Sequence, residues 1–195
     1  MIIVNTADII SFFNERADRW DSMQERNEEV IEKILDLGGI RLGTAVLDVA
    51  CGTGILFPDY KKRNVASVTG IDFSPKMVKI AENKFCDIDV ICADASAYVF
   101  EKQFDAVMIY NAFPHFTEPE KLIANLAKAV KRGGRLSIAH GTGREELDKF
   151  HAANAGGISN RLPEKEDVAV MLSSYFDVDI MISDETMYMV SGMRK

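Results

Sequence analysis

The stretch Val46-Leu-Asp-Val-Ala-Cys-Gly-Thr-Gly54 constrains this chain more than any other. Ala45 to Ala50 is an apolar run interrupted by one acid, Asp48, the pattern of a strand buried on both faces of a parallel sheet. Gly52 and Gly54 then make a tight turn, and apolar residues resume at helical spacing through Ile55, Leu56 and Tyr60. A strand, a glycine turn and a helix let the backbone approach a ligand closely, with helix N–H groups aimed at it. Ordinary strand–helix turns use the same two glycines, so the next strand has to decide between the two readings.

Residues 65–72, Val-Ala-Ser-Val-Thr-Gly-Ile-Asp, read as a second strand ending in Asp72. That acid falls close to the ~20-residue spacing at which a second-strand carboxylate binds ribose hydroxyls. A carboxylate accepts two hydrogen bonds from a vicinal diol, which argues for a nucleoside and against a ribose bearing a 2′-phosphate. The turn departs from the dinucleotide fingerprint, because no third glycine stands at the helix packing position. Asp48, just before the turn, is also out of place beside a pyrophosphate and suits a cationic ligand better.

At these residues the chain resembles the class I S-adenosylmethionine-dependent methyltransferases. Asp48-Val-Ala-Cys-Gly-Thr-Gly54 is similar to their first motif, and Gly70-Ile-Asp-Phe-Ser-Pro-Lys-Met77 to the second-strand acid and following helix. Cys92-Ala-Asp-Ala95 resembles the third-strand motif, and Phe104-Asp-Ala-Val-Met-Ile-Tyr-Asn-Ala-Phe113 the fourth strand. Lys131-Arg-Gly-Gly-Arg-Leu-Ser-Ile138 resembles the turn into strand five. Within the family the likeness is to small-molecule enzymes of the ubiquinone/menaquinone-biosynthesis type. Ala50 stands where the family usually has glycine.

The resemblance implies an α/β, Rossmann-like three-layer sandwich: a seven-stranded, mostly parallel sheet with a C-terminal antiparallel hairpin. Residues 1–195 form one domain in this reading, with 1–40 as a helical lid and 41–195 as the core. The implied cofactor is S-adenosyl-L-methionine. Asp48 is expected near its methionine moiety or ammonium, on the turn Ala50, Gly52, Thr53 and Gly54. Asp72 grips the ribose and Phe73 belongs to the cofactor site; Met77, with Ile80, forms the buried stripe of its helix or lies beside the adenine. Asp94 accepts from the adenine amine while Ala95 offers a backbone N–H; alternatively Asp94 caps the following turn. Asn111 and Ala112 offer backbone groups near the methionine portion, where strands one and four flank the crevice. Trp20, with Phe13 and Arg19, closes the lid over the site and excludes water; in a plain bundle Phe12 and Phe13 would be core.

Residues 8–20 form an amphipathic segment rich in aromatics, and residues 24–37 a clearer helix with Val30, Ile31, Ile34 and Leu35 on one face, stopped by Gly38-Gly39. Ser74 and Pro75 open a helix over 75–85. Strand three is expected over Ile88–Ala93, and strand four over Phe104–Tyr110. A helix over Pro119–Lys131 is expected to end at Gly133-Gly134, and strand five to run from Arg135 to Ala139. A helix over 164–173, an alternating strand Phe176–Ile182 and a returning strand Met187–Met193 complete the chain.

The formal charge of −7 and the lack of any Lys/Arg cluster argue against a nucleic-acid partner. No apolar run is long enough to span a bilayer and the amino terminus lacks a signal pattern, so a cytoplasmic location without a membrane partner is expected. Cys51, Cys86 and Cys92 lack Cys-x-x-Cys spacing, which points to neither a disulfide framework nor zinc; Cys86 and Cys92 read as core positions flanking strand three. Oligomeric state is left open.

The three histidines lie in the C-terminal half. His115 and His140 follow the ends of strands four and five, which makes them candidate general bases, or hydrogen-bonded wall residues. His151 reads as helix surface or pocket rim. No His-x-x-x-His pair exists, so no metal is expected. The irregular stretch Asn154–Arg161 is expected to shape the pocket of a small-molecule acceptor. Two other classes are a nucleoside-binding protein without chemistry and an NAD-dependent oxidoreductase. The complete series Asp48, Asp72, Asp94 weighs against the first, and the missing third glycine against the second.

Overall fold

The computed structural model describes residues 5–147, 149 and 160–195. His151 and residues 154–159 of the expected acceptor loop therefore lie outside the described residues. Seven strands are formed: β1 (Ala45–Val49), β2 (Ser67–Asp72), β3 (Asp89–Cys92), β4 (Phe104–Tyr110), β5 (Val130–His140), β6 (Phe176–Ser183) and β7 (Tyr188–Arg194). They make one sheet in the order β3-β2-β1-β4-β5-β7-β6. The first five are parallel, and β7 enters antiparallel between β5 and β6. The strand order reverses between β1 and β4, and there the carboxyl ends open a crevice.

Both faces of the sheet are covered. Helices α3 (Glu28–Leu37) and α4 (Phe57–Lys62) share an apolar cluster on one face with Val46, Met108 and Ala139. On α3, Val30, Ile31, Ile34 and Leu35 form one stripe that is at most 8% exposed. Burying each such side chain is worth about 1.5–3 kcal/mol. Helices α6 (Pro119–Ala129) and α7 (Lys165–Ser173) cover the other face around Leu47, Val107 and Ile138. Helix α5 (Pro75–Lys84) starts on Ser74, whose hydroxyl accepts the Met77 N–H, with Pro75 in its first turn.

The first residues fold as α1 (Thr6–Arg16), a 3-10 turn (Ala17–Arg19) and one helical turn, α2 (Trp20–Met23). The expected helix over 24–37 begins four residues late. Asn27 is its N-cap, accepting from Val30 N–H, while Arg26 reaches instead to Asp59 at 2.9 Å and to the carbonyl of Ile55.

Two other expectations are corrected. Helix α6 ends at Ala129 rather than at the glycines, because Val130 already pairs with Phe104 and opens β5. Gly133 and Gly134 lie inside β5, where its register against β4 shifts. Cys86 and Cys92 are exposed rather than core, since β3 is the sheet's edge strand and only one side of it has a neighbour. Cys51 is buried. No helix among the described residues is long and apolar enough to cross a membrane.

Candidate functional site

The turn after β1 is shaped by backbone conformation. Ala50 and Gly52 both take positive φ, +56° and +55°. The packing role expected of a third glycine in the turn falls to Gly70 of β2. A methyl group there would come within 2.8 Å of both Cys51 Sγ and the Phe57 ring, so its absence lets α4 settle onto the strand.

Asp72 is the hub of the turn. Its Oδ2 accepts the Gly52 N–H at 2.9 Å and its Oδ1 the Ser74 N–H at 2.8 Å. The carboxyl is only 6% exposed, yet it lines the crevice. Burial pushes its pKa up to about 6, against the backbone N–H groups of Ser74, Gly52 and Phe73, which favour the charged form. Asp48 lies deeper. Burial pushes its pKa up to about 8, so it is neutral at pH 7; the Tyr60 hydroxyl opposes this shift and the charge of Asp72 adds to it.

The crevice is a cavity of about 750 Å³, within the range of roughly 300–1,000 Å³ usual for small-molecule sites. Trp20, Ala50, Gly52, Asp72, Phe73, Met77, Asp94, Ala95, Asn111 and His115 all line it, so most of the residues expected from sequence are brought together. Asp48, Thr53, Gly54 and His140 do not line it. The first three belong to the strand and turn beneath its floor. Asp94 Oδ1 accepts the Ser96 N–H at 2.8 Å, the capping contact, while the residue also faces the cavity. Asn111 has φ +54°, and its Oδ1 accepts the Gly141 N–H at 2.9 Å, which ties the ends of β4 and β5 together.

His140 is fully buried. β5 runs on beyond the end of β4 and pairs His140 with Tyr188 of β7, whose ring lies 6.0 Å away. By alternation its side chain shares the face of Leu136 and Ile138, under α7, and is turned away from the cavity. His115 is in the wall, its ring edge-on to Phe13 at 5.0 Å.

Phe13 also meets Trp20 at 5.3 Å and Phe73 at 6.3 Å, so an aromatic layer joins α1 to the core across the mouth. A methyl group on Gly52 would sit 3.8 Å from Trp20 Nε1. Two polar ties hold this layer. Asn14 Oδ1 accepts from Ser74 Oγ (2.9 Å) and from the Lys76 N–H (3.2 Å). Asp21 accepts from Thr53 Oγ1 (2.5 Å) and from Lys84 Nζ (2.7 Å). Sequence reading missed Asn14, Asp21 and the cavity-lining Tyr110. Neither tie has a local pattern, since the partners stand 60 to 63 and 32 residues away.

The strand order, the glycine turn and the strand-end acids define an α/β protein with a crevice at the point where its sheet order reverses. Its likeness to known proteins is to methyltransferases. Residues 46–134 match a family model described as a methyltransferase domain. A demethylmenaquinone methyltransferase of Renibacterium salmoninarum is 37% identical over 107 residues, covering 54% of this chain and 45% of that protein. The methyltransferase in complex with the Haloferax volcanii Trm112 methyltransferase activator superimposes with a TM-score of 0.78 at 19% identity, over 93% of this chain and 97% of that one. N-methyltransferase NodS of Bradyrhizobium japonicum, in complex with S-adenosyl-L-homocysteine, gives 0.74 at 15% identity, over 97% and 98%. Over residues 46–134 this chain is similar to methyltransferase domains, and its fold is that of S-adenosylmethionine-dependent methyltransferases of known structure. It spans about half the length of the curated relatives it matches.

Proposed function

We propose that this chain transfers a methyl group from S-adenosylmethionine to a small-molecule acceptor, as one domain with residues 1–40 as its lid. The carrying observation is the Asp72 carboxylate. It is fixed by the Gly52 and Ser74 N–H groups and faces a cavity also lined by Asp94 and Trp20. Each carboxylate oxygen takes one of these N–H groups and can also accept from a hydroxyl, which suits the vicinal diol of a ribose. The donor set therefore fits the nucleoside.

When bound, S-adenosylmethionine supplies a methyl group already activated on a sulfonium. The chain's share is to orient, enclose and deprotonate. Asp72 holds the ribose, Met77 and Phe73 enclose the adenine, and Asp94 with the Ala95 N–H reads its edge. Ala50, Gly52 and Asn111 contribute backbone groups beside the methionine portion. Neutral Asp48 braces the turn from below, with Thr53 and Gly54. In-line transfer needs the accepting atom about 3 Å from the methyl carbon and little covalent help. Phe13 and Trp20 exclude water. We assign removal of the acceptor's proton to His115, on the strength of its place in the wall, and a packing role to His140.

Relatives act on different acceptors: the name of the Renibacterium protein points to a quinone precursor, and NodS is an N-methyltransferase. The deciding experiment is calorimetric titration with S-adenosylmethionine, S-adenosylhomocysteine and NADH. Micromolar binding of the first two and none of the third is expected. Binding of NADH alone would overturn the assignment.

A further inference from the structure

The proposed transfer gives no role to the hydroxyl of Tyr110, a residue of the cavity wall. β1 and β4 pair as far as Val49 and Ile109, and the chain then turns away at Ala50 and Asn111, both in the left-handed region. Tyr110 is thus the last strand residue at the point where the sheet order reverses. It lines the cavity and is 9% exposed, and its ring belongs to the apolar cluster that holds Ile34, Met108 and Met189. A side chain on a strand, packed on that side, presents its polar tip in one place, unlike the lid residues opposite.

The hydroxyl has its own clearance. A methyl group on Gly141 would lie 2.3 Å from the Tyr110 oxygen, so the first residue after β5 has to be glycine for the phenol to stand where it does. Gly141 is fixed in turn by its N–H bond to Asn111 Oδ1. The phenol thus lies at the joint of β4 and β5, over the crevice floor, whereas the carboxylates assigned to the nucleoside, Asp72 and Asp94, follow β2 and β3 on the other side of β1. Burial raises its pKa to about 12, so it carries its proton at neutral pH and donates.

We infer that Tyr110 is an acceptor-contacting residue: its hydroxyl, seated over Gly141, donates a hydrogen bond to an oxygen of a ring-shaped acceptor on the β4–β5 side of the cavity. This rests on the nucleoside filling the β1–β3 side, as in the function proposed above. The aromatic neighbours Phe13 and Phe116, which line the same cavity, suit a flat ring. Tyr110 orients the acceptor and takes no proton from it; that task stays with His115.

The test uses the full chain saturated with S-adenosylhomocysteine and 1,4-naphthoquinone as probe, a flat ring with two acceptor oxygens. Affinity for S-adenosylhomocysteine is measured first, so that failure of the methyltransferase reading shows by itself. Tyr110→Phe, which removes only the hydroxyl, is expected to weaken probe binding about tenfold, the scale of one net hydrogen bond. Gly141→Ala, which pushes the phenol away, is expected to do the same. Both keep S-adenosylhomocysteine affinity within about twofold of the unsubstituted chain. Wild-type probe binding by Tyr110→Phe would overturn the inference. So would absence of probe binding by the unsubstituted complex, or loss of S-adenosylhomocysteine binding in Tyr110→Phe, which would make Tyr110 a nucleoside contact.

Discussion

Asp21 Oδ1 lies 2.5 Å from Thr53 Oγ1, so the N-terminal helical segment is bonded to the glycine turn. Thr53 is 1% exposed, and its hydroxyl is enclosed by that contact. The other carboxylate oxygen of Asp21 meets Lys84 at the end of α5. The N-terminal helical segment is thereby coupled to the glycine turn and to α5, and in the proposed function, where this segment is the lid, nucleoside release requires those bonds to open.

Asp21→Ala should therefore speed dissociation of S-adenosylmethionine by about tenfold, the equivalent of one hydrogen bond to a charged group. The chain's single tryptophan, Trp20, lines the cavity and reports the event by stopped-flow fluorescence. An unchanged off-rate would show that the lid is held by its aromatic contacts alone.

In the proposed ribose-binding role the Asp72 carboxyl acts in its ionised form, and burial raises its pKa to about 6. Affinity for S-adenosylmethionine should thus rise about tenfold between pH 5 and pH 7, following the ionised fraction. Asp72→Ala should abolish tight binding while the chain stays folded by circular dichroism. Equal affinity in variant and wild type removes Asp72 from the site.

Asp48 titrates in the opposite sense to a salt-bridged acid. Its pKa moves from 3.8 to about 8 on folding. The folded chain holds a proton that the unfolded chain has released, so this group's contribution to stability falls as pH rises from about 4 to about 8. Asp48→Asn keeps the shape and removes the titration. The variant should melt several degrees above wild type at pH 8, with the gap closing toward pH 4.5. A gap independent of pH would mean that the carboxyl is charged in the folded chain.

Ala50 holds φ +56°, a region that costs a residue with a Cβ about 1–2 kcal/mol. Ala50→Gly should relieve part of that strain, less glycine's entropy in the unfolded chain, and raise the melting temperature by about 1–3 °C. A lower melting temperature would show that the Cβ makes packing contacts worth more than the strain.

Much of this architecture was legible in the residues. Buried parallel strands are near-continuous apolar runs, and β1 and β4 announce themselves in that way, while β2 is betrayed by its terminal Asp72, which lines the crevice. Misreadings arose where long-range pairing overrode a local signal. Gly133-Gly134 carries the signature of a helix stop, but Val130 was already recruited by Phe104, and the glycines became part of a strand irregularity. His140 ends a strand, as catalytic groups in such sheets do, but it is paired there with Tyr188 of β7, fully buried and not part of the cavity wall. Cys92 sits in an apolar run that reads as core, yet its strand is at the edge. Partners such as Asp21 and Thr53, or Tyr110 and Gly141, meet only through the fold, and no window of sequence contains both.

The insertion of β7 between β5 and β6 settles how this sheet ends in solution. A free strand edge is a template for other chains, and here each edge is blunted. β3 offers four residues, too few for a lasting ladder. β6 is longer, but it carries Asp177 and Asp179 exposed along its outer run, and its register against β7 slips between Val178 and Ile180. Arg135 grips Asp179 with two bonds of 2.7 Å across β7, which fixes one of those charges in place. The hairpin that completes the sheet therefore also guards it against edge-to-edge pairing: neutralising Asp177 and Asp179 is expected to keep the fold and to promote association through β6 as concentration rises.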